Sequence, residues 1–260
     1  MKGCLRFLRN SLSADPSRRI VALNAFSKWL FGDYRLTWYR IAWWQDEDFN
    51  SYLRNFGEEE GFNTHRRWML WQLLRLSSDV LGDTAECGVF EGASSWLICA
   101  SNARHKAALC MHHLFDSFEG VSAPRANDGD HWQRGDLSAN EAAVAKRLAP
   151  FDGAISFHKG WIPDRFIDVQ DLRFAFVHID VDLFEPTRDS IEFFYDRLNP
   201  GGVLVCDDYG FTSCPGATEA VDAFLADKPE KMLSLPVGGG FFIKGSRTPI
   251  SSKAFEGFVP

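Results

Sequence analysis

With 260 residues the chain can bury one sizeable core, and a single elaborated α/β domain suits that length better than two independent ones. Its 35 acidic and 28 basic residues leave a formal net charge of -7, which speaks against a general nucleic-acid or anionic-membrane surface. No apolar run approaches the roughly 20 residues of a membrane-spanning helix, and the start "MKGCLRFLRNSLSADPSRR" lacks the apolar core of a secretory signal, so a cytoplasmic protein without a membrane or nucleic-acid partner is expected.

Residues 1–60 read as a helical, aromatic-rich extension that includes Trp29, Trp38, Trp43 and Trp44 between charged residues. Such a segment serves as a lid, as extra packing or as an oligomer contact, and a homo-oligomer is the expectation. "RRWMLWQLLRLSSDVLG" follows as an amphipathic helix and opens a second region, residues 61–260.

From Asp83 onward apolar runs alternate with helical patterns. The runs "TAECGV", "ALCMHHLFD", "AISFHKG", "RFAFVHIDVD" and "GGVLVCDDY" are strand candidates. Between them "ASSWLICASNA", "SANEAAVAKRLAPF" and "TRDSIEFFYDRL" have helical spacing, with Ser or Thr near their starts as caps. Alternation of this kind implies right-handed crossovers and a mostly parallel sheet with helices on both faces. At the end "KMLSLPV" and "GFFIKG" flank a glycine run with no helix between, which predicts an antiparallel hairpin closing the sheet edge. Cys87, Cys99, Cys110 and Cys206 lie in apolar runs and read as reduced core thiols.

The first strand ends in "ECGVFEGASSW", a turn through Gly88 and Gly92 into a helix near Ser94 or Ser95. Glycines permit positive φ and close approach, and a helix start offers free N–H groups to a ligand's carboxylate. The spacing is G-x-x-x-G rather than the G-x-G-x-x-G of dinucleotide sites, which argues against a nicotinamide cofactor. The second strand ends in "HLFDSFEG", and its Asp116 stands where an acid accepts both hydroxyls of a ribose.

The ordered set "ECGVFEGASS", "LFDSFEG", "GDLSANEAAVAKRLAPF", "FHKGWIPD", "HIDVDLFEPT", "LNPGGVLVCDDYG", "CPGATEAVDAFL" and "GGGFFIKG" resembles the metal- and S-adenosylmethionine-dependent O-methyltransferases typified by macrocin O-methyltransferase, with mycinamicin and novobiocin sugar methyltransferases as relatives. The resemblance runs over residues 60–245 and does not reach the N-terminal extension. It implies a class I methyltransferase, Rossmann-like fold, with S-adenosylmethionine over the C-terminal strand ends. Glu86, Gly88, Glu91, Gly92 and Ser94 would line its methionine half, and Asp116, Ser117 and Phe118 its ribose and adenine side. Ala93 departs from the pattern, since relatives often carry a second glycine there. The following loop, "VSAPRANDGDHWQRGD", reads equally as a substrate lid and as a solvated loop.

Asp180, Asp182, Asp207 and Asp208 crowd the ends of two apolar runs. Carboxylates packed together repel one another, and a hard divalent cation accounts for them better than a solvated acidic rim does. The family's D-x-D and D-D motifs, carried onto this chain, imply Asp180, Asp207 and Asp208 as ligands of Mg2+. Asp182, two residues along an extended chain from Asp180, is then free to act as general base on an acceptor hydroxyl. A vicinal diol of a glycoside or polyol is the expected small-molecule acceptor, since two neighbouring hydroxyls can approach one ion. His178 reads as a core residue or a partner behind the metal, and Glu185 and Thr187 as loop-shaping and capping residues for a helix after Pro186.

Two rivals use the same acids. A D-x-D also resembles the nucleophile motif of haloacid-dehalogenase-type phosphatases, but only one helix and one strand fit between Asp182 and Asp207, too little for the Ser/Thr and Lys motifs those enzymes need. A nucleotide-sugar glycosyltransferase would leave the glycine turn and the second acid pair without a role.

Overall fold

The computed structural model describes residues 2–32, 41–59, 63–105 and 110–246; Trp38 and the first two residues of the "ALCMHHLFD" run lie outside them. The chain forms two compact units, Met1–Glu59 and Glu60–Pro260.

The first unit carries helices α1 (Lys2–Ser11), α2 (Pro16–Leu30) and α3 (Glu47–Phe56). Helix α3 is bounded by the Asp46 carboxylate, which accepts the Phe49 N–H, and by Gly57 in the left-handed conformation. Its Phe49, Tyr52 and Leu53 are buried, whereas Trp29 and Trp44 are exposed.

The second unit opens with α4 (Thr64–Leu74) and is built on seven strands in the order β3-β2-β1-β4-β5-β7-β6. Strands β1 (Asp83–Cys87), β2 (His112–Asp116), β3 (Ile155–Lys159), β4 (Phe174–Ile179) and β5 (Leu198–Cys206) are parallel neighbours, whereas β6 (Leu233–Ser234) and β7 (Gly240–Ile243) are the expected antiparallel edge. Helices α5 (Ala93–His105), α6 (Glu141–Leu148), α7 (Phe184–Tyr195) and α8 (Pro215–Leu225) connect them. Every residue of β4 is buried, so the sheet is covered on both faces as a parallel sheet requires. Phe115, Phe174, Phe194 and Phe242 are fully buried in its main core, each stabilising the fold by about 1.5–3 kcal/mol. The five described free cysteines, Cys87, Cys99, Cys110, Cys206 and Cys214, are all buried.

Two helix starts differ from the sequence reading. Helix α6 is capped by Asn140, whose side chain accepts the Ala143 N–H at 3.0 Å, rather than by a Ser. Helix α7 begins at Phe184, ahead of Pro186, and Thr187 is a buried residue of its first turn instead of a cap. Its first N–H is met from a distance by the Asp128 carboxylate, 2.7 Å away. Proline fits a first turn because the N–H it lacks would have had no helical partner.

Candidate active site

The site follows from strand register. Cys87 stands beside Phe115 on one side and Ile179 on the other, and Ile179 stands beside Cys206. The next residue on each strand is therefore Gly88, Asp116, Asp180 or Asp207, and parallel direction brings all four to one rim. The ladder continues across that rim, with Asp180 N donating to Cys87 O and Asp207 N to Ile179 O, each at 2.8 Å. Gly88 is obligatory here: its φ is +84°, and a Cβ on it would lie 1.8 Å from the Asp180 carbonyl oxygen.

On the other side of the rim, Asp116 ties the glycine turn to the second strand. Its Oδ2 accepts the N–H groups of Val89 at 2.7 Å and Phe90 at 3.0 Å, and its Oδ1 accepts that of Phe118 at 2.6 Å. Ser117 Oγ accepts the Glu119 N–H, and Phe118 is buried with φ +60°. Ser94 is buried in the first turn of α5, which starts at Ala93. Glu91 is exposed and ion-paired with Arg147 at 2.7 Å. Glu86 points into the interior: it is fully buried, accepts from Ser95 Oγ and lies 3.0 Å from His178 Nδ1.

The aspartates converge as expected, by a different backbone route. Strand β4 stops at Ile179, and Asp182 takes a left-handed φ of +62°, so its direction comes from a strained turn rather than from strand alternation. Asp208 Oδ2 supports that turn by accepting the N–H groups of Val181 at 3.1 Å and Asp182 at 2.8 Å. Ligand atoms of His178, Asp180 and Asp207 lie within 4.8 Å of one another, as do those of Asp182, Asp208 and Cys214. Burial, followed by the charge of Asp180, pushes the Asp182 carboxyl up to about 7, and burial with Asp207 pushes Asp180 up to about 6. Burial and the charges of Asp182 and Asp180 raise Asp208 as well.

Asp207 is the exception. Burial works against its charge, yet the Arg66 guanidinium and His178 hold it well below the usual carboxylate range. His178 is fully buried, and although burial disfavours its charge, Asp207 and Glu86 on either side raise it to about 10. Its Nε2 has no hydrogen-bond partner and faces Asp207 Oδ1 at 3.8 Å, too long for a hydrogen bond but within ion-pair range. Burial and mutual repulsion raise three of the four carboxylates despite the nearby charges of Arg66, Arg67 and His178, so the acids outweigh the cations beside them. A set of oxygen donors with excess negative charge is what a hard divalent ion binds, so the residues fit such an ion.

Sequence reasoning missed Arg66, Cys214, Trp132 and Asp128. Arg66 on α4 donates to the Asp207 carboxylate from 141 residues away. Cys214 Sγ lies 3.6 Å from Asp182 Oδ1 and accepts from Trp132 Nε1 at 3.4 Å. Trp132 and Asp128 both belong to the loop after β2, which Asp128 fixes to the start of α7. The only signal in the sequence was that loop's position beside the second strand.

Comparison with known proteins agrees with this architecture. The Streptomyces olivaceus 8-demethyl-8-(2,3-dimethoxy-alpha-L-rhamnosyl)-tetracenomycin-C 4'-O-methyltransferase is 30% identical over 154 residues, 55% of this chain and 58% of that enzyme, so the match spans less than two thirds of the relative. Demethyldecarbamoylnovobiocin O-methyltransferase of Streptomyces niveus is 24% identical over 76% of this chain and 82% of its own length. The crystal structure of a calicheamicin methyltransferase superposes with a TM-score of 0.64 at 18% identity, covering 90% of this chain and 95% of that one, and shares the fold. Residues 74–236 match the model of the Macrocin-O-methyltransferase (TylF) family, and with more than half of its length matched the chain belongs to that family.

Proposed function

We propose that the protein is a magnesium-dependent O-methyltransferase that moves the methyl group of S-adenosylmethionine to a hydroxyl, one of a vicinal pair, on a sugar of a glycosylated natural product or polysaccharide. The observation that carries the reading is the gathering of Asp180 and Asp207 with His178, and of Asp208 with Asp182 and Cys214, at the strand ends beside the glycine turn in a chain of this family. The names of the two curated relatives, which describe O-methylation of a rhamnosyl tetracenomycin and of demethyldecarbamoylnovobiocin, support the acceptor class. Family membership leaves the phosphatase and glycosyltransferase readings without support.

In this reading Asp180, Asp207 and Asp208 hold the ion, and Gly88, Glu91, Gly92 and Ser94 with Asp116, Ser117 and Phe118 hold the cofactor, while Glu86, expected beside them, is fully buried behind the turn with Ser95 and His178 on its oxygens. When bound, the ion would supply the positive charge that eases ionisation of an acceptor hydroxyl, and the sulfonium cofactor the methyl group. Asp182 is the base. Its Oδ1 is engaged by the Cys214 thiol, while its Oδ2 makes no hydrogen bond to a described residue and is left to take the hydroxyl proton. Asp208, through two N–H groups, fixes the turn that aims Asp182. The chain's contribution is to orient the acceptor and hold the base, since an in-line methyl displacement needs no covalent intermediate.

The test is calorimetric titration with S-adenosylhomocysteine, with and without Mg2+, followed by methyl transfer to rhamnosylated acceptors. Binding in the micromolar range, about -8 kcal/mol, is expected. The Asp182→Asn variant should lose about 10²–10⁴ of the transfer rate while keeping its affinity for the cofactor product. No cofactor binding under either condition would overturn the reading, and loss of that binding in Asp182→Asn would overturn the role of Asp182.

A further inference from the structure

Among the described residues a cation of the chain's own stands in the middle of the acidic cluster. Arg66 Nη2 donates to the Asp207 carboxylate and, at 3.1 Å, to the Asp207 carbonyl oxygen. It lies 3.7 Å from Asp180 Oδ1 and 3.8 Å from Asp208 Oδ1. The group is held from outside the cluster as well. Nη1 donates to Asn63 Oδ1 at 3.3 Å, and the guanidinium carbon sits 5.0 Å from the centre of the Phe211 ring, on the loop that follows Asp208. Its side chain is only 18% exposed, so these charges meet with little water between them.

A hard divalent ion contacts carboxylate oxygens at about 2.0–2.1 Å for magnesium. Arg66 Nη2 already rests on Asp207 and lies within 3.8 Å of oxygens of Asp180 and Asp208, so an ion drawn to these carboxylates would come close to the guanidinium, and two cations brought together repel strongly where water is scarce. We propose that Arg66 is an internal counter-cation that competes with the divalent metal for the carboxylates of Asp180, Asp207 and Asp208. The metal therefore enters by exchange, swinging the guanidinium off Asp207 instead of filling a bare acidic site. The inference rests on the metal assignment made above and adds to it a residue that sets how tightly the metal is held. His178, whose unpartnered Nε2 faces Asp207 from the buried side, stays behind the carboxylates and does not compete for their exposed oxygens. The exchange also makes the metal and the first turn of α4 thermodynamically linked, since what displaces Arg66 from the carboxylates must break its tie across to that helix.

The test reads metal binding alone, without cofactor or acceptor. Full-length wild type, Arg66→Met and Arg66→Lys are stripped with chelator and titrated with Mn2+, and free Mn2+ is followed by its electron paramagnetic resonance signal. Arg66→Met should bind Mn2+ at least about tenfold more tightly than wild type, a gain of about 1.4 kcal/mol. Arg66→Lys, which keeps a charge but loses the planar fork, should fall between them. In chelator the melting midpoint of Arg66→Met should drop below that of wild type, with Mn2+ closing the gap. Should Arg66→Met fail to fold without metal, Arg66→Lys carries the comparison. Mn2+ affinity that is unchanged or weaker in the substituted proteins, with wild type binding normally, overturns the competition and leaves the metal site standing. Absence of Mn2+ binding in all three proteins overturns both.

Discussion

His178 Nδ1 lies 3.0 Å from Glu86 Oε1, and both side chains are fully buried beneath the acidic cluster. Glu86 holds more than this one partner, since Ser95 Oγ donates to its other oxygen and His112 Nε2 stands 3.6 Å from it. Burial alone would favour neutral Glu86, but His112 and His178 hold its carboxyl well below the usual range. Its role is therefore structural first: it keeps His178 charged behind Asp207. Removing one partner of a buried ion pair leaves the other charge uncompensated, at a cost of about 3–5 kcal/mol. Glu86→Gln should lose stability of that order in urea denaturation. A loss under about 1 kcal/mol would show that the pair is not ionised in the folded protein.

Gly88 is where the glycine turn and the end of β4 touch. Alanine there would need both a left-handed backbone and the space already taken by the Asp180 carbonyl. The conformational part alone costs about 1–3 kcal/mol. Gly88→Ala is expected to lower the denaturation midpoint and to weaken S-adenosylhomocysteine and Mn2+ binding together, because one displacement moves both strand ends. Retention of either affinity would separate the two halves of the site.

The strands and their order were readable because fully buried parallel strands appear as short apolar runs and because the acids fall directly after those runs. Register then brings Asp116, Asp180 and Asp207 to one rim without further information. Arg66 could not be read in the same way. The spacing of Arg67, Leu70, Leu73 and Leu74 marks the buried side of α4, but nothing in it says which strand end the neighbouring arginine reaches. The start of α7 escapes a local reading for a related reason. Local chemistry pointed to Thr187 and Pro186, whereas the acceptor for the first N–H is Asp128, 56 residues upstream. Strand alternation puts Asp182 beside Asp180, and the structure reaches the same neighbourhood through a left-handed residue that no pattern of alternation predicts.

Away from the site, His158 offers a pH dependence of stability with a definite sign. Its Nε2 meets His113 Nδ1 at 3.0 Å, its Nδ1 meets Asp168 Oδ2 at 2.9 Å, and its ring stacks on Phe115 at 4.5 Å. Burial, with a smaller contribution from His113 and against the pull of Asp168, lowers its pKa below 6.5. The unfolded chain thus binds a proton here before the folded one does, and stability must fall as pH drops below about 6.5. His158→Phe keeps the stack and removes the proton. Its denaturation midpoint should change less than that of wild type between about pH 7 and pH 5; an equal slope in both proteins would assign the acid sensitivity elsewhere.

Asp128 joins three segments through one buried carboxylate. Oδ1 accepts the Phe184 N–H at the start of α7, and Oδ2 accepts the Arg125 N–H at 2.7 Å within its own loop. Gly216 in the first turn of α8 passes so near that a Cβ would stand 2.2 Å from Oδ1. The same loop sends Trp132 to Cys214, which contacts Asp182, so the carboxylate positions one wall of the site as well as capping a helix. Loss of a capping side chain costs about 0.5–2 kcal/mol. Asp128→Ala should reach the upper end of that range by urea denaturation, and Gly216→Ala should move stability in the same direction by steric displacement. With Asp182 as the proposed base, the loop reaches the acceptor through Trp132 and Cys214, so both variants should raise KM for the acceptor more than they change S-adenosylhomocysteine affinity. Equal loss of the two would mean that the loop supports the cofactor turn, and the assignment of Asp128 to the acceptor wall would fall.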